Sequence, residues 1–397
     1  MIFSAPLLFV LTTIVIAYLS AMSLVKIEKP NNIITTNRNV AVDGLRGYLA
    51  FFVFLHHAYI WYFYLANGVW QLPESNLFIH LGQSSVALFF MITSFLFTNK
   101  LLNSSGRDIN WVRLYKKRMI RLFPLYLIAV LVIFILVAIV SDWMMVVPVN
   151  ELLDSAAKWL LFSIGGRPDI NGIERTRYMS AGVTWSIAYE WLFYLLLPFL
   201  AVIFTKRFYF KALVFSGVLL YLMSFYWWPR SMIFNCFVGG FIAAFAVRNN
   251  LIVNVAKNKY SSFIALILLA LLMFFNSAYD LLPLFFLTLF FIIIASGNDL
   301  FGVLSLIPSR WLGEISYGIY LFHGLVMFVV FYFLLGYEYV ISLTEFEYSF
   351  LVMLIAPFVI LVAHVLHVSI ERPFMNAGQF KHGVWRYFKT YLYSKRA

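Results

Sequence analysis

The chain contains little charge and almost no cysteine. Charged residues make up 12% of the 397 residues, and Cys236 is the one cysteine. A soluble protein carries about twice this share of charge, and 63% hydrophobic residues leave too little polar sequence to cover a globule. Soluble, disordered and fibrous classes are therefore excluded, and a lone cysteine rules out a disulfide within the chain.

Common motifs of nucleotide-binding and hydrolytic enzymes are also missing, and there is no internal repeat. No Walker loop, GxGxxG, HExxH or GxSxG stands in a context that would support its function. Gly44 and Gly47 are too few for a nucleotide fingerprint, so we interpret them as sites of close helix packing. His364 and His367 lack an accompanying carboxylate or cysteine spacing, so no metal site is expected.

Long apolar runs dominate the chain. Runs of about 17 to 25 residues predict transmembrane helices, so the fold class is an all-α, polytopic bundle of about eleven spans, a ten-span core plus one extra N-terminal helix. The predicted spans lie near 5–25, 46–66, 79–98, 121–141, 185–204, 209–227, 231–248, 261–278, 281–297, 314–336 and 349–370.

The distribution of positive charge predicts the orientation of these spans. The excess of 29 Lys and Arg over 17 Asp and Glu would suggest nucleic acid in a soluble protein. If the spans alternate, however, 24 of the basic residues fall on one side of the membrane and five on the other. The positive-inside rule then places the N-terminus outside and the C-terminus inside, and we expect membrane lipid but no nucleic acid as a partner.

The same pattern divides the chain into three parts. Residues 1–40 form an extra transmembrane helix and linker without the basic start of a signal peptide, 41–373 form the main membrane domain, and 374–397 form a basic, aromatic cytoplasmic tail suited to anionic lipid. The outer loop near 142–184 is either a solvated connector or a functional segment, that is, a lid or an acceptor-binding loop.

Two histidines lie deep in predicted spans. Arg46 and His57 share one helix face about 16 Å apart, with His56 turned away by about 100°. Ser316, Tyr320 and His323 share one face of the tenth span at a similar depth. Each histidine is either a structural hydrogen-bonding group or part of a polar site inside the bundle.

A carboxylate is predicted to lie at a similar depth. Ser186 and Glu190 are four residues apart on the fifth span, and Glu190 lies about 6–9 Å below the outer surface. Glu190 is therefore expected to meet His57 and to orient its imidazole for general-base chemistry. The alternative is a purely structural polar pair.

Basic residues cluster at the inner mouth of the fourth span. Lys117, Arg118 and Arg121 belong to this cluster, and Pro124 fits the first turn of the helix. Arg118 and Arg121, three residues apart, are suited to hold phosphates, although the cluster also serves as a topology signal and a lipid contact.

Six ordered motifs resemble the membrane-bound acyltransferase-3 family. The first is Arg46 followed by ten residues and His57, which is similar to the family's arginine-x10-histidine signature. The others are Phe89-Phe90-Met-Ile-Thr93-Ser94-Phe95-Leu96, Arg118-Met-Ile-Arg121-Leu-Phe-Pro124, Trp185-Ser186-Ile-Ala-Tyr-Glu190, Ser316-Tyr317-Gly318-Ile-Tyr320-Leu-Phe-His323 and Glu371-Arg372-Pro373. Thr93 and Ser94 replace the family's usual Ser and Gly.

The resemblance implies acyl transfer, usually of acetyl, from cytoplasmic acetyl-CoA to a hydroxyl of a cell-surface glycan such as lipopolysaccharide O-antigen in a bacterial inner membrane. It implies that His57 is catalytic with Glu190 as its partner carboxylate, that Arg46 is a donor-site or structural partner, and that Arg118 and Arg121 hold coenzyme A phosphates. Lys117, in the same basic cluster, is a further candidate to bind the acyl-CoA. No metal cofactor is expected.

The mechanism leaves two routes open. His57 either deprotonates the acceptor hydroxyl for direct attack on the thioester or carries the acyl group transiently. Ser186, Tyr320 and His323 are candidates to assist, the first two as donors to the developing oxyanion. The alternative function is a transporter or flippase of a glycan or small solute, which shares many spans but performs no acyl chemistry.

Overall fold

The computed structural model describes residues 6–28, 39–104, 109–205, 208–226 and 231–377, and these residues form an all-α bundle. Within these ranges there is no β-strand, only a single bridge between Ile170 and Ile173. The α-helices are α1 Pro6–Glu28, α2 Val40–Asn67, α3 Asn76–Asn103, α4 Trp111–Val140, α5 Val149–Leu160, α6 Trp185–Thr205, α7 Phe210–Tyr226, α8 Ser231–Ala246, α9 Asn250–Ala256, α10 Lys259–Leu271, α11 Leu281–Ala295, α12 Ile307–Glu314, α13 Ser316–Phe328, α14 Tyr337–Ser342, α15 Glu345–Leu366 and α16 Arg372–Ala377.

The apolar helices agree with the predicted all-α membrane bundle. Seven helices have the length and apolar character to cross a membrane, and α8 with α9, bent by 105°, forms an eighth if counted as one span. Three shorter apolar helices, α7, α10 and α11, complete the set. Each predicted span overlaps one of these helices, so the protein is a multi-pass membrane protein. Beyond Ala377, the predicted cytoplasmic tail lies outside the residues that the structure describes.

The helices begin and end where their flanking residues supply hydrogen bonds. The side chain of Asn39 accepts from the backbone N–H of Val42, and that of Asn110 accepts from Arg113 N–H at 2.8 Å. Gly68, at φ 71°, ends α2 in the left-handed conformation that glycine adopts without strain. Because α4 starts at Trp111, the prediction that Pro124 lies in the first helical turn is wrong; it lies inside the helix.

The centre of the bundle is built on α2, which packs against α3, α12 and α13. Small residues permit the closest approach, since a Cβ on Gly44 would lie 2.0 Å from the Leu304 carbonyl oxygen and one on Gly47 would lie 2.5 Å from Leu312 Cβ. This confirms the packing role predicted for these two glycines. Helix α1 packs on α12 and α15, and its last residue, Glu28, accepts a hydrogen bond from Arg372 of α16 at 3.1 Å.

Two ends of the bundle have different character, and we name them by their residues. The basic end contains the starts of α2 and α4, with Arg46, Lys117 and Arg118. The loop end contains 68–75 and 141–184, the segments that join α2 to α3 and α4 to α6. The histidines of α2 and α13 lie between these two ends.

Candidate functional site

His57 and His323 form a direct pair inside the bundle. His57 Nδ1 lies 3.1 Å from His323 Nε2, and the two rings are stacked with centroids 5.1 Å apart and 25° between their planes. His323 is fully buried, whereas His57 is half-buried. The two helices therefore bring together the histidines whose depths the sequence predicts to be similar.

The hydrogen bonds of this pair determine which nitrogens carry protons when both rings are neutral. His323 Nδ1 lies 3.0 Å from the Ile319 carbonyl oxygen, which only accepts, so this nitrogen carries the hydrogen. His323 Nε2 is then an acceptor and receives the N–H of His57 Nδ1. The carbonyl of Val53, 3.0 Å from His57 Nδ1, supports the same tautomer.

One nitrogen of this pair is left with a free lone pair. His57 Nε2 makes no hydrogen bond with the described residues. A fully buried atom in this situation would be a buried polar atom without a partner, and His57 Nε2 is not one of these, so it is accessible. In the tautomer fixed by His323 this nitrogen is unprotonated. The arrangement is that of a general base held by a second group, with an imidazole where a carboxylate often stands.

The neighbouring histidine has a structural position. His56 Nδ1 lies 2.7 Å from the Phe78 carbonyl oxygen, and the ring packs against Gly82, where a Cβ would approach it to 2.4 Å. As the sequence predicts, His56 points to a different face from His57.

A cavity with a cationic mouth lies on the basic-end side of the histidine pair. Its polar lining combines three arginines with one glutamate and several hydroxyl groups. These residues are Arg46, Arg118, Arg121, Glu190, Tyr194, Ser186, Ser316, Tyr317 and Tyr320. Apolar side chains of α3 and α6 line the rest, including Phe89, Phe90, Phe97 and Ile187.

The arginines are held around this cavity by different neighbours. Arg46 lies 4.0 Å from Asp43, one turn earlier on α2. The guanidinium of Arg118 lies over the Phe97 ring, 5.1 Å from its centroid. Arg118 and Arg121, three residues apart, face the cavity together, but Lys117 is exposed and does not line it, because one residue along a helix turns the side chain by about 100°.

The expected contact between Glu190 and His57 is absent among the described residues. Glu190 lines the basic cavity and accepts a hydrogen bond from the Tyr194 hydroxyl at 2.9 Å, one turn further along α6. Its rotation on α6 therefore directs the carboxylate toward the arginines, and His323 takes the position beside His57 that the sequence analysis gave to Glu190.

Ser186 and Tyr320 share a hydrogen-bond network between the cavity and the histidines. Their oxygens are 2.8 Å apart, and each lies 3.2 Å from the Val183 carbonyl oxygen. The network offers an acceptor within reach of both hydroxyl hydrogens, so both groups are already hydrogen-bonded. Tyr320 lines the cavity, and its ring lies 6.4 Å from that of His323, so it stands between the cavity and the histidine pair.

The structure also brings together residues that the sequence analysis did not pair. Trp70, in the segment after α2, has its ring centroid 6.3 Å from that of His57. Glu371 accepts a hydrogen bond from His367 at 2.8 Å and is 2% exposed, so the interpretation that no carboxylate spacing accompanies His367 is wrong. The four-residue spacing of His367 and Glu371 was a usable signal, whereas Trp70 reaches His57 through a loop whose course the sequence does not specify.

The fold and this site define a multi-pass membrane protein with a pair of histidines near a cavity lined by three arginines. A family model described as an acyltransferase domain, that of the acyltransferase-3 family, matches residues 39–370. The match covers most of the chain, so the protein belongs to this family and is a membrane acyltransferase. No curated protein and no solved structure matches the chain.

Proposed function

We propose that the protein is an O-acetyltransferase that transfers acetyl from acetyl-CoA to a hydroxyl of a cell-surface glycan such as lipopolysaccharide O-antigen. The observation that carries the proposal is the accessible Nε2 of His57, left unprotonated by the bond from His57 Nδ1 to His323. The family supports acyl transfer, and acetyl and the glycan are the finer assignment that the resemblance favours.

The cationic cavity is suited to hold the donor. Its lining includes three arginines, Arg46, Arg118 and Arg121. Guanidinium groups bind phosphate oxygens with paired, charge-assisted hydrogen bonds. His57 lies about three turns from Arg46 along α2, roughly 16 Å, a distance that an extended pantetheine arm spans. The phosphates of acetyl-CoA then lie at the basic end while the thioester approaches the histidine pair.

In the proposed reaction the acceptor hydroxyl attacks the thioester directly. His57 Nε2 takes the hydroxyl proton as the oxygen forms its bond to the thioester carbon. The tetrahedral intermediate then collapses, the carbon–sulfur bond breaks, and the CoA sulfur takes the proton back from Nε2. His323 keeps His57 Nδ1–H in a hydrogen bond throughout and holds the ring in the required tautomer.

The remaining site residues support the donor side. Glu190, held by Tyr194, offsets part of the positive charge of the three arginines and so reduces the repulsion between them. Tyr320 and Ser186 line the part of the cavity that is next to the histidines. A role as an oxyanion donor requires that one of the hydrogen bonds among Ser186, Tyr320 and the Val183 carbonyl is exchanged for a bond to the substrate.

We place the protein in a bacterial inner membrane with the N-terminus outside and the basic end in the cytoplasm, where acetyl-CoA is made. The distribution of 24 and five basic residues supports this orientation. In this arrangement 1–40 is an accessory helix, 41–373 is the catalytic domain, and 374–397 is a tail for anionic lipid.

Radiolabelled acetyl-CoA tests the function. Purified protein is incubated with labelled acetyl-CoA and lipopolysaccharide O-chains, beside a His57→Ala variant. Label in the glycan with the wild type alone supports the acyltransferase, whereas movement of glycan across a vesicle membrane without label supports the transporter. Label trapped on His57 in the absence of acceptor, and released when acceptor is added, replaces direct transfer with the acyl-enzyme route.

A further inference from the structure

Aromatic rings form a row from the histidine pair toward the loop end. The Trp70 ring lies 6.3 Å from the His57 ring, with 28° between the planes. On the other side, Trp70 stacks on Tyr178 at 4.5 Å and 15°. Tyr64, on the last turn of α2, meets Trp70 edge to face at 5.4 Å. We name Trp70, Tyr178 and Tyr64 the aromatic wall.

The wall is fixed to the helix that holds His323. Tyr178 lies in the short 3-10 turn Thr176–Ser180, which packs on α13. Gly324 follows His323 directly, and a Cβ at this position would lie 2.3 Å from the Ser180 carbonyl carbon. This backbone contact ties the position of Tyr178 to that of the histidine pair.

A second set of bonds closes the wall at its outer edge. The guanidinium of Arg175 donates to the Gly68 carbonyl oxygen at 3.0 Å and to the Tyr64 hydroxyl at 3.3 Å. It also lies over the Tyr64 ring, 5.7 Å from the centroid. The segments on either side of Trp70 and Tyr178 are therefore joined to each other as well as to the bundle.

The wall is partly open, unlike the aromatic residue behind it. Trp61, which meets Trp70 edge to face, is 1% exposed and belongs to the core. Trp70, Tyr178 and Tyr64 are half-buried, and so is His57. Arg177 is exposed, with its guanidinium 5.2 Å from the centroid of the Tyr178 ring.

This combination of groups matches the chemistry of a sugar ring. One face of a pyranose presents only C–H groups, which pack on aromatic rings; Trp70 offers its open edge for this, because Tyr178 and His57 lie against its faces. Its hydroxyl edge takes hydrogen bonds from guanidinium groups, which here stand at the rim of the wall. A phosphate or an acyl chain would use only one of these two features.

We propose that the aromatic wall binds a pyranose ring of the acceptor and brings one of its hydroxyls to His57 Nε2 from the loop end. The inference rests on the proposed function and adds to it the residues that recognise the acceptor. The acceptor then reaches His57 from the end opposite to the cationic cavity, so the two substrates meet at the histidine pair.

Kinetics with Trp70 variants test this assignment in the full-length protein. Acetyl transfer is measured with methyl pyranosides of glucose, galactose, mannose and rhamnose at saturating acetyl-CoA. Trp70→Ala is expected to raise the acceptor KM about tenfold, equal to about 1.4 kcal/mol, with the KM for acetyl-CoA unchanged. Trp70→Phe keeps an aromatic ring and should raise the acceptor KM less.

The matched control is Tyr339→Ala, which removes an exposed aromatic ring from the same end of the bundle. A membrane-surface role for these aromatic residues predicts that Tyr339→Ala and Trp70→Ala act alike on protein stability and leave the acceptor KM unchanged. That result overturns the inference. An equal rise of the KM for both substrates with Trp70→Ala also overturns it, because it indicates a general disturbance of the site.

Direct binding separates this inference from the proposed function. Binding of hexose oligosaccharides is measured calorimetrically in the inactive His57→Ala background, with and without Trp70→Ala. A Trp70-dependent loss of affinity supports the wall even if no acetyl transfer is found. If acetyl transfer depends on His57 but oligosaccharide binding is unchanged by Trp70→Ala, the proposed function stands and the aromatic wall is rejected as the acceptor site.

Discussion

The two ends of the site differ in the groups that they offer to a ligand. At the basic end three arginines surround a cavity with one carboxylate, so charge dominates. At the loop end the neighbours of His57 are stacked rings, and the guanidinium groups stand only at the rim. One ligand chemistry does not fit both ends. The difference therefore favours a two-substrate site with a shared centre at His57 and His323.

The elements that build the two ends also differ. Long helices supply the arginines of the cavity, whereas Trp70 and Tyr178 come from a connecting segment and a short 3-10 turn. Helix positions are set by packing of the whole bundle, while loops accept substitution more readily. An enzyme family that keeps one donor and changes its acceptor would use this division.

Removing His57 Nε2 is expected to have the largest effect, because both substrates depend on it. Asparagine keeps a polar atom near the Nδ1 position and lacks Nε2, so His57→Asn should lower kcat by about 10³-fold, within the usual range for a general base. Steady-state transfer from labelled acetyl-CoA measures this. The matched control is His56→Asn, which retains the bond to the Phe78 carbonyl and should stay near wild-type activity.

Substitution of His323, the hydrogen-bond partner of His57, is expected to have the second largest effect on kcat. His323→Asn keeps a donor for the Ile319 carbonyl but removes the acceptor for His57 Nδ1. We expect kcat to fall about 10- to 100-fold, the range typical of groups that orient a reacting residue, with both KM values little changed. A purely structural role would instead lower the melting temperature and the amount of folded protein without a selective loss of kcat.

Changes at the basic end should affect the donor alone. Arg118→Ala removes a charge-assisted contact, which contributes about 1.5–3 kcal/mol, so the KM for acetyl-CoA should rise about tenfold or more. Lys117→Ala is the matched control, because this side chain is exposed and outside the cavity. Equal effects of the two changes would mean that the cluster acts through its total charge and would remove the distinction between the residues.

The smallest effect on kcat is expected for Tyr320, which lies between the cavity and the histidines. Tyr320→Phe removes the bonds to Ser186 and the Val183 carbonyl but keeps the ring. Neutral hydrogen bonds contribute about 0.5–1.5 kcal/mol, so kcat should fall only severalfold. A loss of about 100-fold or more, typical of an oxyanion donor, would show that the Tyr320 hydroxyl turns from this network to the substrate.

Periodicity and depth in the sequence predicted the features that depend on helices alone. The all-α class, the overlap of each predicted span with an apolar helix, and the packing role of Gly44 and Gly47 follow from composition and spacing. The similar depth of His57 and His323 could be counted in helical turns. These features need no knowledge of how a helix is rotated about its axis.

The features that the sequence missed depend on rotation and on loops. Glu190 is predicted to meet His57, but the facing of α6 turns it to the cavity and Tyr194. Lys117 belongs to the basic cluster but faces away from the cavity. The position of Trp70 beside His57 depends on the path of the segment after Gly68, which residue patterns do not determine.

Sidedness of the reaction tests the central claim most directly. Sealed membrane vesicles of both orientations are supplied with labelled acetyl-CoA on one face and an acceptor glycan on the other. The account predicts labelled glycan only when acetyl-CoA is on the face with Arg118 and the glycan is on the face with Trp70. Transfer that requires both substrates on the Arg118 face would contradict it.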